Sequence, residues 1–232
     1  MYPWVCVLGR AIPSYGLCMA LGILVSCWIA LARARGSRLD ANNLIVIVAC
    51  ALAFGLLGAK LLYLIASCDV GAVVARLSRG DFSDLASGGQ GYYGGLLGGV
   101  LGAGVGARIS GADGEFPLYC DAVVPAIPVG HAFGRVGCFL GGCCYGLPCG
   151  AWCAVTFPGA AQPVFPLQLL EAALNLALAI ALVCCAKKSR LRGLALHLYL
   201  LLYSAARFVL EFFRGDEIRG SALGLSTSQW IS

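Results

Sequence analysis

The chain alternates long apolar runs with short clusters of charged residues and glycine. The first run covers Ser14 to Ala32 and is followed at once by Arg33, Arg35 and Arg38. Further runs cover about Asn43 to Ser67, Tyr92 to Arg108, Pro117 to Arg135, Leu167 to Ala186 and Gly193 to Phe213. Each comes near the ~20 residues an α-helix needs to cross ~30 Å of hydrocarbon. The pattern predicts an all-α fold, a polytopic transmembrane helix bundle of about six spanning helices with short extracytoplasmic segments. It reads as one integral-membrane domain over residues 1–232, with extracytoplasmic loops at 69–90 and 136–166. The first 13 residues, with Trp4 and Arg10, read as interfacial.

Composition agrees. Of 232 residues, 60% are hydrophobic and 12% charged, against about 25% charged in a soluble domain, and the mean hydropathy is +0.86. A net charge of +5 does not point to nucleic acid, because the basic residues sit mostly between apolar runs, where they set topology. A cleaved signal peptide carries its positive charge before the apolar run; here the charge follows it. The first helix is therefore expected to stay in the membrane with the N-terminus outside. On that layout eight basic residues are cytoplasmic (Arg33, Arg35, Arg38, Arg108, Lys187, Lys188, Arg190, Arg192) and six external (Arg10, Arg76, Arg79, Arg135, Arg214, Arg219).

Within the runs, local chemistry stands out. The third carries Gly94, Gly95, Gly98, Gly99, Gly102, Gly104 and Gly106, a density that lets helices meet backbone to backbone. The fourth holds Pro125 and Pro128, which interrupt helical hydrogen bonds. Few charged or ionisable residues lie at or within the spans: Lys60, Asp121, His131, Arg135, Glu171, His197, Arg207, Glu211 and Arg214. Such residues are costly in lipid and face a bundle interior or cavity. Lys60 reads as snorkelling to the interface, and the two histidines as hydrogen-bonded structure. Arg207, Glu211 and Arg214 are spaced to share one helix face, so Glu211 could brace both arginines. An internal salt-bridge ladder would explain that spacing. However, Arg135, Arg207 and Arg214 outnumber the obvious acids beside them, which leaves positive charge for a phosphate, whose oxygens the guanidinium fork matches.

The segment from His131 to Gly146 places Arg135 at the end of an apolar run, followed by Cys138, Cys143 and Cys144. With Cys149 and Cys153, these thiols do not follow the paired C-x-x-C spacing of a zinc ribbon. Outside the cytoplasm thiols tend to oxidise, so one or two disulfides bracing the loop are the favoured reading, ahead of a thiol nucleophile or a metal site.

Several ordered motifs resemble one family. Gly134-Arg135-Val136-Gly137-x-Phe139, ending at Gly146, resembles the signature of prolipoprotein diacylglyceryl transferases. Ser14-Tyr15-Gly16, Gly58-x-Lys60-x-x-Tyr63, Tyr93-Gly94-Gly95-Leu96-Leu97-Gly98, Pro166-x-Gln168-Leu169-Leu170-Glu171 and Arg207-Phe208-x-x-Glu211-Phe212-x-Arg214 are similar to its other motifs, in the same order. Tyr93 stands where the family has histidine, Lys60 where it has arginine, and Cys138 and Cys143 where it has polar amide or acidic groups. The family's seventh helix has no counterpart here.

The resemblance implies transfer of a diacylglyceryl group from phosphatidylglycerol to the lipobox cysteine thiol of a preprolipoprotein, with a thioether formed and glycerol phosphate released. It implies that Arg135 and Arg207 stabilise the leaving phosphate, with Tyr93 as a third catalytic position. Glu211 and Arg214 would hold Arg207 in place, and Tyr15 and Gln168 would line the lipid or thiol pocket. Gly94, Gly95, Gly134, Gly137, Cys138 and Gly146 complete the substrate-binding set. The expected partners are phosphatidylglycerol, the preprolipoprotein lipobox and membrane lipid, with no nucleic acid, no cofactor and no metal. The expected location is the bacterial cytoplasmic (inner) membrane, multi-pass, with the N-terminus extracytoplasmic. A phospholipid-binding or transport protein that keeps the arginine cavity without the chemistry is the alternative. A thiol redox protein ranks behind both, since the external loop has no C-x-x-C.

Overall fold

A computed structural model describes residues 3–7, 10–67, 78–79, 92–158, 162–186, 193–215, 221–222, 225–226 and 229. The elements, in chain order, are β1 (Trp4–Val7), β2 (Arg10–Pro13), α1 (Ser14–Gly36), α2 (Ala41–Ser67), α3 (Tyr92–Ile109), α4 (Phe116–Val123), α5 (Ile127–Gly141), α6 (Leu167–Ala186), α7 (Ala195–Glu211), β3 (Ser221–Ala222) and β4 (Leu225–Ser226). Strands β1 and β2 form one antiparallel hairpin and β3 and β4 another. Ser14–Gly36, Ala41–Ile65, Asp113–Gly141 and Leu167–Cys185 are long and apolar enough to cross a membrane, and Gly94–Ile109 is a shorter apolar helix. The fold is thus an all-α arrangement of membrane helices, as the pattern predicts. Apart from Ser78 and Arg79, the expected loop at 69–90 lies outside the described residues.

The contacts group the chain into two compact units, residues 38–119 and residues 1–37 with 120–232. In the first, α2 and α3 run antiparallel along a glycine seam. A Cβ at Gly94 would strike the Gly58 carbonyl, one at Gly98 the Phe54 carbonyl, and one at Gly102 the Cys50 carbonyl. A Cβ at Gly106 would lie 2.7 Å from Ile47 Cα. These four recur every fourth residue, so they form one stripe of α3. Gly104, off the stripe, faces open space. In the same unit Lys60 Nζ stands 5.4 Å from the Tyr63 ring centroid, and the buried Tyr119 hydroxyl donates to the Asp40 carbonyl at 3.2 Å.

In the larger unit, α1 lies antiparallel to α5. Small residues again permit the approach: a Cβ at Gly22 would meet Phe133 Cβ at 2.8 Å, and one at Gly137 would meet Cys18 Cβ at 3.1 Å. The proline pair breaks the helix as expected, with a 3-10 turn at Val124–Ala126 separating α4 from α5. The Ala126 carbonyl in this turn accepts from Ser26 Oγ at 2.9 Å, which satisfies a backbone group at membrane depth. Asp121 receives the backbone N–H groups of Gly193 and, at 3.0 Å, Ala195. A carboxylate thus serves the unsatisfied donors at the start of α7. Val124, Leu182, Ala195 and Tyr199 form a buried cluster beneath this junction.

One boundary moves. Residues 136–141, expected in the external loop, continue α5 as helix. Gly137 and Gly141 remain within the helix, which closes only at Gly142, with φ 74°; glycine takes this left-handed conformation without a Cβ clash. Beyond it, residues 145–149 cross two other segments. Gly146 N donates to Phe165 O at 3.0 Å, Phe165 N to Leu147 O at 3.0 Å, and Leu147 N to Phe213 O at 3.1 Å. A Cβ at Gly146 would fall 2.8 Å from the Phe213 carbonyl.

Gly102→Val is expected to force α2 and α3 apart and destabilise the protein by about 2 kcal/mol, within the usual cost of overpacking. Gly104→Ala should change stability by less than about 0.5 kcal/mol. Thermal unfolding of the two variants in detergent micelles checks the contrast.

Candidate active site

The larger unit gathers its charged residues at one place. α5 contributes Arg135. α6 contributes Gln168, Glu171 and Asn175, all buried and spaced to share one face. α7 contributes Arg207 and Glu211, and the turn after it Arg214, whose backbone bridges to Gly146. Glu171 is 4% exposed and lies between three guanidinium groups. Its Oε2 is 2.5 Å from Arg135 Nε, and its Oε1 is 3.6 Å from an Arg207 nitrogen and 3.8 Å from one of Arg214. Glu211 Oε2 lies 2.6 Å from the other terminal nitrogen of Arg207. Three cations against two anions leave one net positive charge.

Bracing by Glu211 alone is therefore not the arrangement. Glu211 holds Arg207, and the carboxylate common to all three arginines is Glu171. In the sequence Glu171 stands only as an acid within a span. Its signal was present, since a lone carboxylate in an apolar helix demands a partner. Which arginines it meets depends on how α5, α6 and α7 pack.

A cleft of about 70 Å³ opens beside this cluster. Arg135, Glu171, Asn175 and Arg207 line it together with Leu174, Leu178, Leu202, Tyr203 and Leu210. Leu174 and Leu202 are also exposed on the outer surface, so the apolar wall is continuous with the face a membrane would cover. His131 stacks on Tyr203 at 5.4 Å between centroids.

Several other expected residues gather nearby in the same unit. Tyr15, at the start of α1, packs on Gly137, close to Cys138, Cys143, Cys144 and Arg135. Gln168 is fully buried and donates from Nε2 to the Cys143 carbonyl at 2.6 Å, fastening the cysteine turn to α6. Gly134 lies against Met19. Tyr93, Gly94 and Gly95 belong to the first turn of α3 in the other unit, where Gly94 and Gly95 pack on α2.

The expected disulfides are not formed. All cysteines among the described residues are free, Cys149 and Cys153 included. Instead, the Sγ atoms of Cys138, Cys143 and Cys144 lie within 4.8 Å of one another. The Cys144 thiol is pulled down to about 5 by its hydrogen bond with Cys138, then by Arg214 and Arg135, against the opposing effect of burial. Burial pushes the Cys143 thiol up. Among the described residues this is the group whose donor atoms could hold a metal ion.

The model of the family described as prolipoprotein diacylglyceryl transferase matches residues 3–232. The chain belongs to the prolipoprotein diacylglyceryl transferase family. It is 32% identical to phosphatidylglycerol–prolipoprotein diacylglyceryl transferase 2 of Clostridium perfringens over 233 residues, covering 97% of this chain and 88% of that protein. The Clostridium tetani enzyme of the same name is 32% identical over 229 residues, 97% of this chain and 89% of that one. A Dehalococcoides mccartyi relative, again so named, is 34% identical over 225 residues, covering 94% and 82%. In this family member the arginine–glutamate cluster is built from the three motifs that contain Arg135, Glu171 and Arg207 to Arg214.

Glu171→Gln should destabilise the protein by about 3 kcal/mol, the lower end for breaking a buried ion pair, because Arg135 keeps some contact with water. Glu211→Gln should cost less, since it faces one arginine where Glu171 faces three. The two thermal midpoints in detergent give the comparison.

Proposed function

We propose that this chain is the transferase that moves a diacylglyceryl group from phosphatidylglycerol to the lipobox cysteine thiol of a preprolipoprotein. The thiolate attacks the glyceryl carbon bonded to the phosphate oxygen. A C–S bond forms, the C–O bond breaks, and its electron pair leaves on glycerol phosphate. The observation that carries this reading is the arginine cluster beside a leucine-walled cleft. One net positive charge meets an anionic head group there, while the leucines continue the hydrocarbon that holds the acyl chains. Phosphate charge grows as the bond breaks, and fixed cations aimed at it lower the barrier.

In this reading Arg135 and Arg207 grip the phosphate. Glu211 holds Arg207 in position, and Glu171 keeps Arg135, Arg207 and Arg214 within reach of one anion. Tyr15 and Gln168 line the pocket, and Gly134, Gly137, Cys138 and Gly146 let backbone and thiol approach the substrate. On resemblance, Tyr93 is a third catalytic position, and Gly94 and Gly95 belong to the substrate-binding set. The enzyme works in the bacterial inner membrane with its N-terminus extracytoplasmic, facing the secreted precursor.

The test is turnover of labelled phosphatidylglycerol with a lipobox peptide in proteoliposomes, read as thioether-linked product. Arg135→Ala and Arg207→Ala should each lower kcat by about 10²–10³-fold, the usual cost of losing one charge-stabilising group. Arg135→Lys should recover little, because an ammonium lacks the planar fork. Phosphatidylglycerol bound without any product would overturn the transferase reading in favour of a lipid-binding protein.

A further inference from the structure

The phosphate grip leaves the cysteine turn after α5 unused, and its construction points to a second kind of ligand. Cys138 stands on the last turn of α5, one turn beyond Arg135. Gly142 reverses the chain at φ 74°, and Cys143 N donates back to Cys138 O at 3.1 Å. Cys144 holds a left-handed φ of 61°, uncommon for a residue with a Cβ. The buried Gln168 clamps the Cys143 carbonyl from α6. The result is a pinned turn carrying three sulfur atoms within 4.8 Å of one another.

We propose that Cys138, Cys143 and Cys144 bind a soft divalent metal ion of the zinc class, leaving its fourth position open for the thiol of the acceptor peptide.

Donor chemistry selects the ion. Thiolates favour zinc and other soft metals, whereas magnesium and calcium require oxygen. Around a tetrahedral zinc with bonds of ~2.3 Å, sulfurs sit about 3.8 Å apart, so closing the cluster from 4.8 Å requires each sulfur to move less than about 1 Å. Charge selects the same complex. A divalent ion with three thiolates is a monoanion. Arg135 and Arg214 lie close enough to act on Cys144, so cationic groups border such an anion.

The count of donors bears on the role. Structural zinc sites close with four protein ligands, while sites with three take an exogenous fourth. Among the described residues the cluster has three. A thiol that enters the fourth position is deprotonated outright, its proton passing to solvent. Its sulfur then forms the C–S bond as the C–O bond breaks and the electron pair leaves on phosphate, with no redox change. This role rests on the transferase reading above, whereas the ion site itself does not.

The test uses the full chain, purified in detergent under reductant, stripped of metal and dialysed against zinc alone. One zinc per chain is expected, kept in Cys184→Ser on the exposed face of α6 and lost in Cys138→Ser, Cys143→Ser and Cys144→Ser. Unchanged thermal midpoints of the metal-free variants would show that the loss is not misfolding. Cobalt in place of zinc should give a sulfur-to-metal charge-transfer band, and a lipobox peptide should shift it, whereas its Cys→Ser counterpart should not. Failure to bind zinc, zinc retained by the three serine variants, a cobalt band indifferent to the peptide thiol, or full transferase turnover in the metal-free protein would each overturn the proposal. A peptide-shifted cobalt band in a protein with no transferase activity would uphold the site and count against the transferase reading instead.

Discussion

The larger unit depends on one buried carboxylate. Glu171 sits on an apolar helix, where an unpaired charge would be expelled or neutralised. Three guanidinium groups, those of Arg135, Arg207 and Arg214, converge on it from α5, α7 and the turn beyond. The converse holds for the arginines, which would repel one another without a shared anion. The cluster is nevertheless not neutral. Three arginines against two glutamates leave a surplus positive charge, and Arg135 and Arg207 also line a cleft walled by leucines.

The rest of that unit holds those charges in register. Arg135 is placed by α5, which starts after a proline-broken turn and ends at Gly142. Asp121 accepts the first donors of α7, the helix that delivers Arg207 and Glu211. Arg214 lies past the end of α7, and its backbone is tied to Gly146. The left-handed glycine, the cross-strand bridges and the Gln168 clamp all sit at the same end of α5 as the arginines. Arg135 and the cluster of thiols therefore share one short stretch of backbone.

Small residues make both units feasible by different local means. Between α2 and α3 the stripe of Gly94, Gly98, Gly102 and Gly106 brings two backbones into direct contact. Between α1 and α5 the glycines accept side chains: Gly22 faces Phe133, and Gly137 faces Cys18 and Tyr15. Lipid offers no hydrophobic reward for bringing helices together, so close van der Waals packing of this kind has to supply the attraction.

Much of this was legible in the chain alone. Run lengths and hydropathy are local properties, and they determined the helical membrane class, the order of the helices and the break at Pro125 and Pro128. The arginines and Glu211 stood out because charge inside apolar runs is rare. What the sequence could not determine is which charges meet. The partnership of Glu171 with Arg135 joins positions 36 residues apart, and pairing across helices has no periodicity to read. The end of α5 is not legible either: Arg135 reads as a boundary, yet the helix continues to Gly141 and is capped by Gly142 in the left-handed region. The free, clustered thiols were also a tertiary outcome. Spacing along the chain suggested disulfides, and it was the reversal at Gly142 and Cys144 that brought three sulfurs to one point.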